Sequence, residues 1–170
     1  MRGNSSITFV SLDSPVGTLL VTSAEHRLTG IYWDNGARLA TALHGDPKAC
    51  QQRDALLERT IDQLQGYFEG NTAEFELPIA PHGTPFQQRV WQCLTTIPRG
   101  ETRSYGELAR QLGMPKGARA VGTAVGKNPI AIVLPCHRVV GRDGSLTGFS
   151  GGLTNKRWLL EHEASLSAPA

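Results

Sequence analysis

Residues 130 to 144 read Ile-Ala-Ile-Val-Leu-Pro-Cys-His-Arg-Val-Val-Gly-Arg-Asp-Gly. The thiol of Cys136, the imidazole of His137 and the guanidinium of Arg138 are consecutive in this run. A thiol is a nucleophile only as its thiolate, which nearby bases and cations favour and apolar burial disfavours. The apolar stretch 130–134 predicts a buried strand or extended segment, and Pro135 biases Leu134 toward extended geometry. Successive side chains on a strand point to opposite faces. A partnership between Cys136 and His137 therefore needs a local turn or a bridging water. Free cysteines more often act as small buried hydrophobes. Cys93, at core spacing on a helix, and Cys50, in a polar stretch, are read in that way; its neighbours set Cys136 apart.

The elements that must position this run differ between the two halves of the chain. Three short strands are predicted over 7–12, 16–22 and 28–33, split by Asp13-Ser14-Pro15 and Glu25-His26-Arg27, in the manner of an antiparallel meander. A helix is predicted over 54–69, with Leu57, Ile61, Leu64 and Phe68 on one face and Gly70 as its stop. Segment 71–83, with Pro78, Pro81 and Gly83, reads as a linker, giving domains at 1–80 and 81–170.

The second half is helical. Thr84-Pro85-Phe86-Gln87 and Ser104-Tyr105-Gly106-Glu107 are capping boxes, the first with proline at the opening helical position. The helix opened by Thr84 carries Phe86, Val90, Cys93, Leu94 and Ile97 at core spacing and ends at Pro98-Arg99-Gly100. The second runs through Leu108, Ala109 and Leu112 to a break at Gly113-Met114-Pro115, and a further helix spans 116–125. This is the outline of a helix-turn-helix. The 116–125 helix is almost bare: Gly117, Ala118, Ala120, Gly122, Thr123 and Ala124 surround one long side chain near its start, Arg119. Readers of the major groove need several long polar side chains. A smooth face with one arginine suits tight helix packing, or a minor groove read by shape.

Composition narrows the class. The 170 residues are 39% hydrophobic and 19% charged, as in an ordinary soluble globular protein. No run approaches transmembrane length, and the start, Met1 to Ser6, lacks the apolar core of a signal peptide. The expectation is an intracellular protein with no membrane partner. Three widely spaced cysteines make no disulfide framework. A zinc site is not expected, since the first half offers only Cys50 beside His26, His44 and His82, without a Cys-x-x-Cys pair. The net charge of +2 conceals an asymmetry: residues 1–83 carry 6 basic and 10 acidic side chains, and residues 84–170 carry 11 and 5. A basic second half accords with a polyanionic partner or with an uneven solvated surface.

Together, Pro135-Cys136-His137-Arg138-Val139-Val140-Gly141, the Arg119-Ala120-Val121-Gly122 helix, Asn128-Pro129 and the loop Gly148-Phe149-Ser150-Gly151-Gly152 resemble the O(6)-alkylguanine-DNA alkyltransferases, the methylated-DNA–protein-cysteine methyltransferases. The match runs from about Thr84 to Glu163. The resemblance implies an α+β chain: a ribonuclease-H-like first domain as scaffold, then a mostly helical DNA-binding domain with a helix-turn-helix that carries the alkyl acceptor. It implies irreversible, single-turnover transfer of methyl and small alkyl groups from O-6 of guanine, and from O-4 of thymine, in double-stranded DNA. No cofactor and no metal are expected. It implies a monomer in the free form and leaves cooperative binding along DNA open.

The resemblance also implies roles. Cys136 is the nucleophile and acceptor, His137 its base through a water, and Glu163 in a final helix over 155–163 the group that orients His137. Without the resemblance Glu163 reads as a solvated helix-end carboxylate. Asn128 ties the bare helix to the active site. Arg119 fills the stack that a flipped nucleotide leaves, and Tyr105 donates to the purine. Ala118, Ala120, Gly122 and Thr123 lie along the DNA, while Val139, Phe149 and Ser150 form the pocket. Many relatives have tyrosine where Phe149 stands, so a phenolic hydrogen bond is missing here. The competing expectations are a non-catalytic sensor of alkylated DNA, which would lack the acceptor cysteine; a cysteine hydrolase or acyltransferase; and a helix-turn-helix regulator, for which the reading helix is too bare.

Overall fold

A computed structural model describes residues 6–34 and 50–167. Residues 1–5 of the leader reading, His44 and the side chain of Cys50 lie outside the described residues. The chain divides into two compact units, Met1–Pro81 and His82–Ala170.

In the first unit β1 (Thr8–Leu12), β2 (Leu19–Ala24) and β3 (Arg27–Trp33) form the expected antiparallel meander. A two-residue strand, β4 (Cys50–Gln51), adds parallel to β1, giving the order β3-β2-β1-β4. Glu25 and His26 turn the β2–β3 hairpin with positive φ at both positions, 51° and 60°. That handedness matches the twist of the flanking strands, although neither residue is a usual choice for it. The helix α1 (Ala55–Phe68) starts where its cap predicts: Asp54 accepts from the backbone N–H of Leu57 at 2.8 Å. The same carboxylate accepts from the hydroxyls of Thr8 and Ser23, so one side chain caps α1 and ties it to β1 and β2. Leu57, Ile61 and Leu64 are buried as expected, with Tyr67 rather than Phe68 completing the face.

Segment 71–83 is not a free linker. The N–H of Leu28 donates to Pro78 O and the N–H of Ala80 to Leu28 O, both at 2.8 Å, and Gln63 holds the N–H of Glu76. A strand edge presents unpaired backbone groups, and residues 78–80 satisfy those of β3.

The second unit is built from α2 (Pro85–Leu94), α3 (Tyr105–Gln111), α4 (Ala118–Gly126) and α5 (Leu153–Ser167). Both capping boxes form. Ile97 lies beyond the end of α2 yet is 1% exposed. The turn between α3 and α4 uses Gly113 at φ +75°, with the N–H of Met114 reaching back to Ala109 O at 2.8 Å. The indole N–H of buried Trp91 donates to Ala124 O at 2.8 Å, joining α2 to α4. Two very short strands, β5 (Arg103–Ser104) and β6 (Val139–Val140), pair in parallel. Ser104 is also the cap of α3, so this pairing brings Tyr105 beside the chain that follows the cysteine.

The expected strand over 130–134 is absent. Val133 N–H bonds to Ala131 O and Leu134 N–H to Ile130 O, closing a turn with Ile132 at φ +71°. For a β-branched residue this left-handed conformation is strained. The run is apolar because the turn is enclosed: Ile130, Ala131, Ile132 and Leu134 are each at most 2% exposed. A short apolar run cannot by itself distinguish strand from buried turn.

Candidate active site

The turn at 130–134 is clamped by Asn128. Its side-chain N–H donates to Leu134 O at 2.7 Å, and its oxygen accepts from the N–H of Ile130 at 3.0 Å. The amide thus spans both ends of a strained loop, and it also hydrogen-bonds Cys136. Cys136–Arg138 then form a single 3-10 turn rather than a strand. That resolves the alternation problem, because neighbouring side chains on a tight helical turn do not point to opposite faces.

Cys136 is 4% exposed, and His137 and Glu163 are 0% exposed. His137 Nε2 lies 2.7 Å from Glu163 Oε1. Arg138 donates from Nε to Oε2 and from Nη2 to Oε1, each at 2.9 Å, and from Nη1 to Ile97 O at 2.6 Å. Glu163 is therefore no solvated helix-end residue. It is a buried carboxylate with three donors, the arrangement under which an ion can be buried at all. Burial alone would raise its pKa, but the hydrogen bonds from His137 and Arg138 and the permanent charge of Arg138 hold it far below the usual carboxylate range.

An ionised carboxylate only accepts, so the proton on this edge of the ring belongs to Nε2. Burial pushes the pKa of His137 below its ordinary 6.5, outweighing the opposing pull of Glu163. A neutral ring with Nε2–H leaves a lone pair on Nδ1. That atom is buried and has no hydrogen-bond partner among the protein groups, so it is free to take a proton. Burial raises the pKa of the Cys136 thiol, against the hydrogen bond from Asn128 and the charge of Lys156. At rest the site pairs a protonated thiol with an unprotonated base.

The other expected residues fall into two groups. Tyr105 lies over Gly122, where a Cβ would stand 3.4 Å from the ring, and its hydroxyl accepts from Thr147 Oγ1 at 3.2 Å. Val139 is fully buried in β6. Phe149 and Ser150 are half-buried ahead of α5, with Lys156 Nζ 5.9 Å from the Phe149 ring centroid. Arg119, Ala120 and Thr123 form the exposed side of α4, Ala118 is half-buried at its start, and Val121, Ala124 and Val125 face inward. No hydrogen bond or ion pair joins Arg119's side chain to the cysteine cluster.

Two residues without an expected role belong to the site. Arg138 was visible beside His137, but its service to Glu163 depends on a fold contact 25 residues away. Lys156 is 0% exposed and donates to Thr147 O at 2.9 Å. The signal for it was the spacing 156, 159, 163, one helix face on which Lys156 and Glu163 flank buried Leu159. Among the described residues no group of three or more His, Cys, Asp or Glu side chains is gathered to hold a metal ion.

Residues 85–165 match the family model described as 6-O-methylguanine DNA methyltransferase, DNA binding domain, and residues 7–81 match that described as its ribonuclease-like domain. A Mycobacterium tuberculosis methylated-DNA–protein-cysteine methyltransferase is 46% identical over 164 residues, 96% of each chain. The crystal structure of M. tuberculosis O6-methylguanine methyltransferase superposes with a TM-score of 0.85 at 45% identity, covering 96% of each chain. That of M. tuberculosis OGT in complex with DNA gives 0.83 at the same identity and coverage.

Replacing Glu163 with alanine leaves three donors without their acceptor, one on buried His137 and two on the permanently charged Arg138. Breaking a buried pair in this way costs about 3–5 kcal/mol. Glu163→Ala is expected to lose stability of that order in urea denaturation. A loss below about 1 kcal/mol would mean that the carboxylate acts as an ordinary surface group.

Proposed function

This chain belongs to the family of methylated-DNA–protein-cysteine methyltransferases, and we propose that it repairs alkylated DNA by moving the alkyl group onto Cys136. The observation that carries this reading is a buried thiol followed, in one 3-10 turn, by a buried imidazole whose Nδ1 has no hydrogen-bond partner. Through a bridging water, His137 Nδ1 takes the thiol proton, and Sγ attacks the alkyl carbon on guanine O-6. The S–C bond forms as the C–O bond breaks, and guanine leaves with the bonding pair and takes up a proton from water, which is made good by the thiol proton that His137 gives back to solvent. No electrons change hands beyond that pair, so the step balances without a metal or cofactor. Glu163 stabilises the imidazolium while it lasts. A neutral thioether is a poor alkyl donor and no group in the site activates it, so each molecule acts once. A methyl on O-4 of thymine presents the same carbon to the same sulfur.

Guanine O-6 of a paired base is held at the major-groove edge, out of reach of a cysteine that is 4% exposed, so the nucleotide must swing out of the duplex. The bare outer side of α4 favours entry by the minor groove. Arg119 is its one long side chain and fills the space left in the stack, while Ala118, Ala120 and Thr123 let the backbone approach. Gly122 admits the Tyr105 ring, whose hydroxyl donates to the purine and improves the leaving group. Asn128 holds the strained turn to the end of α4. Val139, Phe149 and Ser150 enclose the base and its alkyl group. Residues 1–80 serve as scaffold, and 81–170 bind DNA and accept the alkyl group. We infer a monomer acting inside the cell, and no helix among the described residues is long and apolar enough to cross a membrane.

Incubation with a duplex bearing O6-methylguanine, followed by intact-mass and peptide analysis, is expected to give a single methyl adduct at Cys136, at most one per chain. Cys136→Ala should form no adduct yet still bind the duplex. Repeated turnover, or an adduct on Cys93, would overturn the assignment.

Arg119→Ala should slow repair of the duplex by at least tenfold, roughly the effect of losing 1.4 kcal/mol of stabilisation, and leave reaction with the free modified base nearly unchanged. An equal loss on both substrates would rule out a stack-filling role.

A further inference from the structure

The buried ammonium of Lys156 is unused by the chemistry above, and it is costly, since a buried charge must be compensated. Its hydrogen bond goes to the backbone oxygen of Thr147 at 2.9 Å, on the loop between β6 and α5. The hydroxyl of the same Thr147 donates to the phenol oxygen of Tyr105, the first residue of α3. Thr147 thus joins a buried charge on α5 to the aromatic ring that lies against α4. At 3.2 Å its hydroxyl bond is long, as such bonds often are before a substrate closes a site. Yet its direction matters more than its length. A phenol has one proton to give and lone pairs to accept with. When Thr147 fills the accepting side, the Tyr105 proton must point elsewhere.

We propose that Thr147 is a positioning residue which, anchored through its carbonyl by Lys156, donates to Tyr105 and so commits the phenol proton to the extruded base. The proposal rests on the reading of Tyr105 as a donor to the leaving base. Lys156 Nζ also lies 5.9 Å from the centroid of the Phe149 ring on the same loop, and its charge favours the thiolate of Cys136. The sequence gives Thr147 no motif; only its two bonds, one through the backbone and one through the side chain, mark it.

Thr147 is exposed, so its replacement leaves the core untouched, and its carbonyl keeps Lys156 whatever side chain it carries. Single-turnover methyl transfer from duplex DNA would be timed for Thr147→Val, Thr147→Ser, Tyr105→Phe and the double variant Thr147→Val/Tyr105→Phe. A hydrogen bond of ordinary worth corresponds to a slowing of about three- to tenfold for Thr147→Val. Thr147→Ser should stay within about twofold of the native rate, and the double variant should be no slower than Tyr105→Phe alone. If Tyr105→Phe is slow and Thr147→Val is not, the positioning role is wrong while the reading of Tyr105 stands. Equal slowing by Val and Ser, or losses that multiply in the double variant, also overturns it. If Tyr105→Phe reacts at the native rate, the reading of Tyr105 itself fails, and the proposal with it.

Discussion

A single buried carboxylate organises the second half of this protein. Glu163 collects His137 on one side and the Arg138 fork on the other, and Arg138 extends the connection to the carbonyl of Ile97 just past α2. An ion removed from water needs its acceptor sites occupied, and here the occupants come from the turn that carries Cys136. The requirement to satisfy Glu163 is therefore also the requirement that α5 dock against Cys136–Arg138. It fixes which ring nitrogen bears the proton, because a carboxylate so far below its usual pKa offers no proton of its own. Stability and reactivity share one contact.

The remaining geometry follows from how the chain enters and leaves that turn. It arrives through Ile132 in a left-handed conformation that costs of order 1–3 kcal/mol, held by the two hydrogen bonds of Asn128. It leaves through β6, whose two residues pair with β5. Since Ser104 ends β5 and caps α3, two paired residues per strand set Tyr105, and with it the start of α3, beside the chain that follows the cysteine. Strain before the cysteine and a minimal sheet after it set the sulfur in a buried place with few degrees of freedom. A thiol held there has its pKa raised by burial and presents little surface to ordinary reagents.

Much of this was legible in residue order, and the exceptions have physical causes. Thr84–Gln87 and Ser104–Glu107 announced two helix starts because a capping box is local chemistry. Asp54 did the same for α1. The chain at 130–134 misled because burial makes a turn as apolar as a strand, and nothing local marks Ile132 for positive φ. Glu163 was placed only by family resemblance: its burial depends on Arg138 and His137, far away in sequence, whereas alone it reads as solvated. Lys156 could have been suspected from its spacing to Leu159 and Glu163. Thr147 could not, since both its bonds are tertiary. The two-residue strand β4 is too short to leave a periodic signal.

Glu163 holds His137 as a neutral ring protonated on Nε2, which leaves Nδ1 without a proton. Nitrogen-15 NMR of the imidazole in the unreacted protein reads this directly. A protonated Nε2 and an unprotonated Nδ1 are expected at neutral pH, unchanged as the pH is lowered to 6.5, the ordinary histidine value. A proton on Nδ1, or a doubly protonated ring at neutral pH, would contradict it.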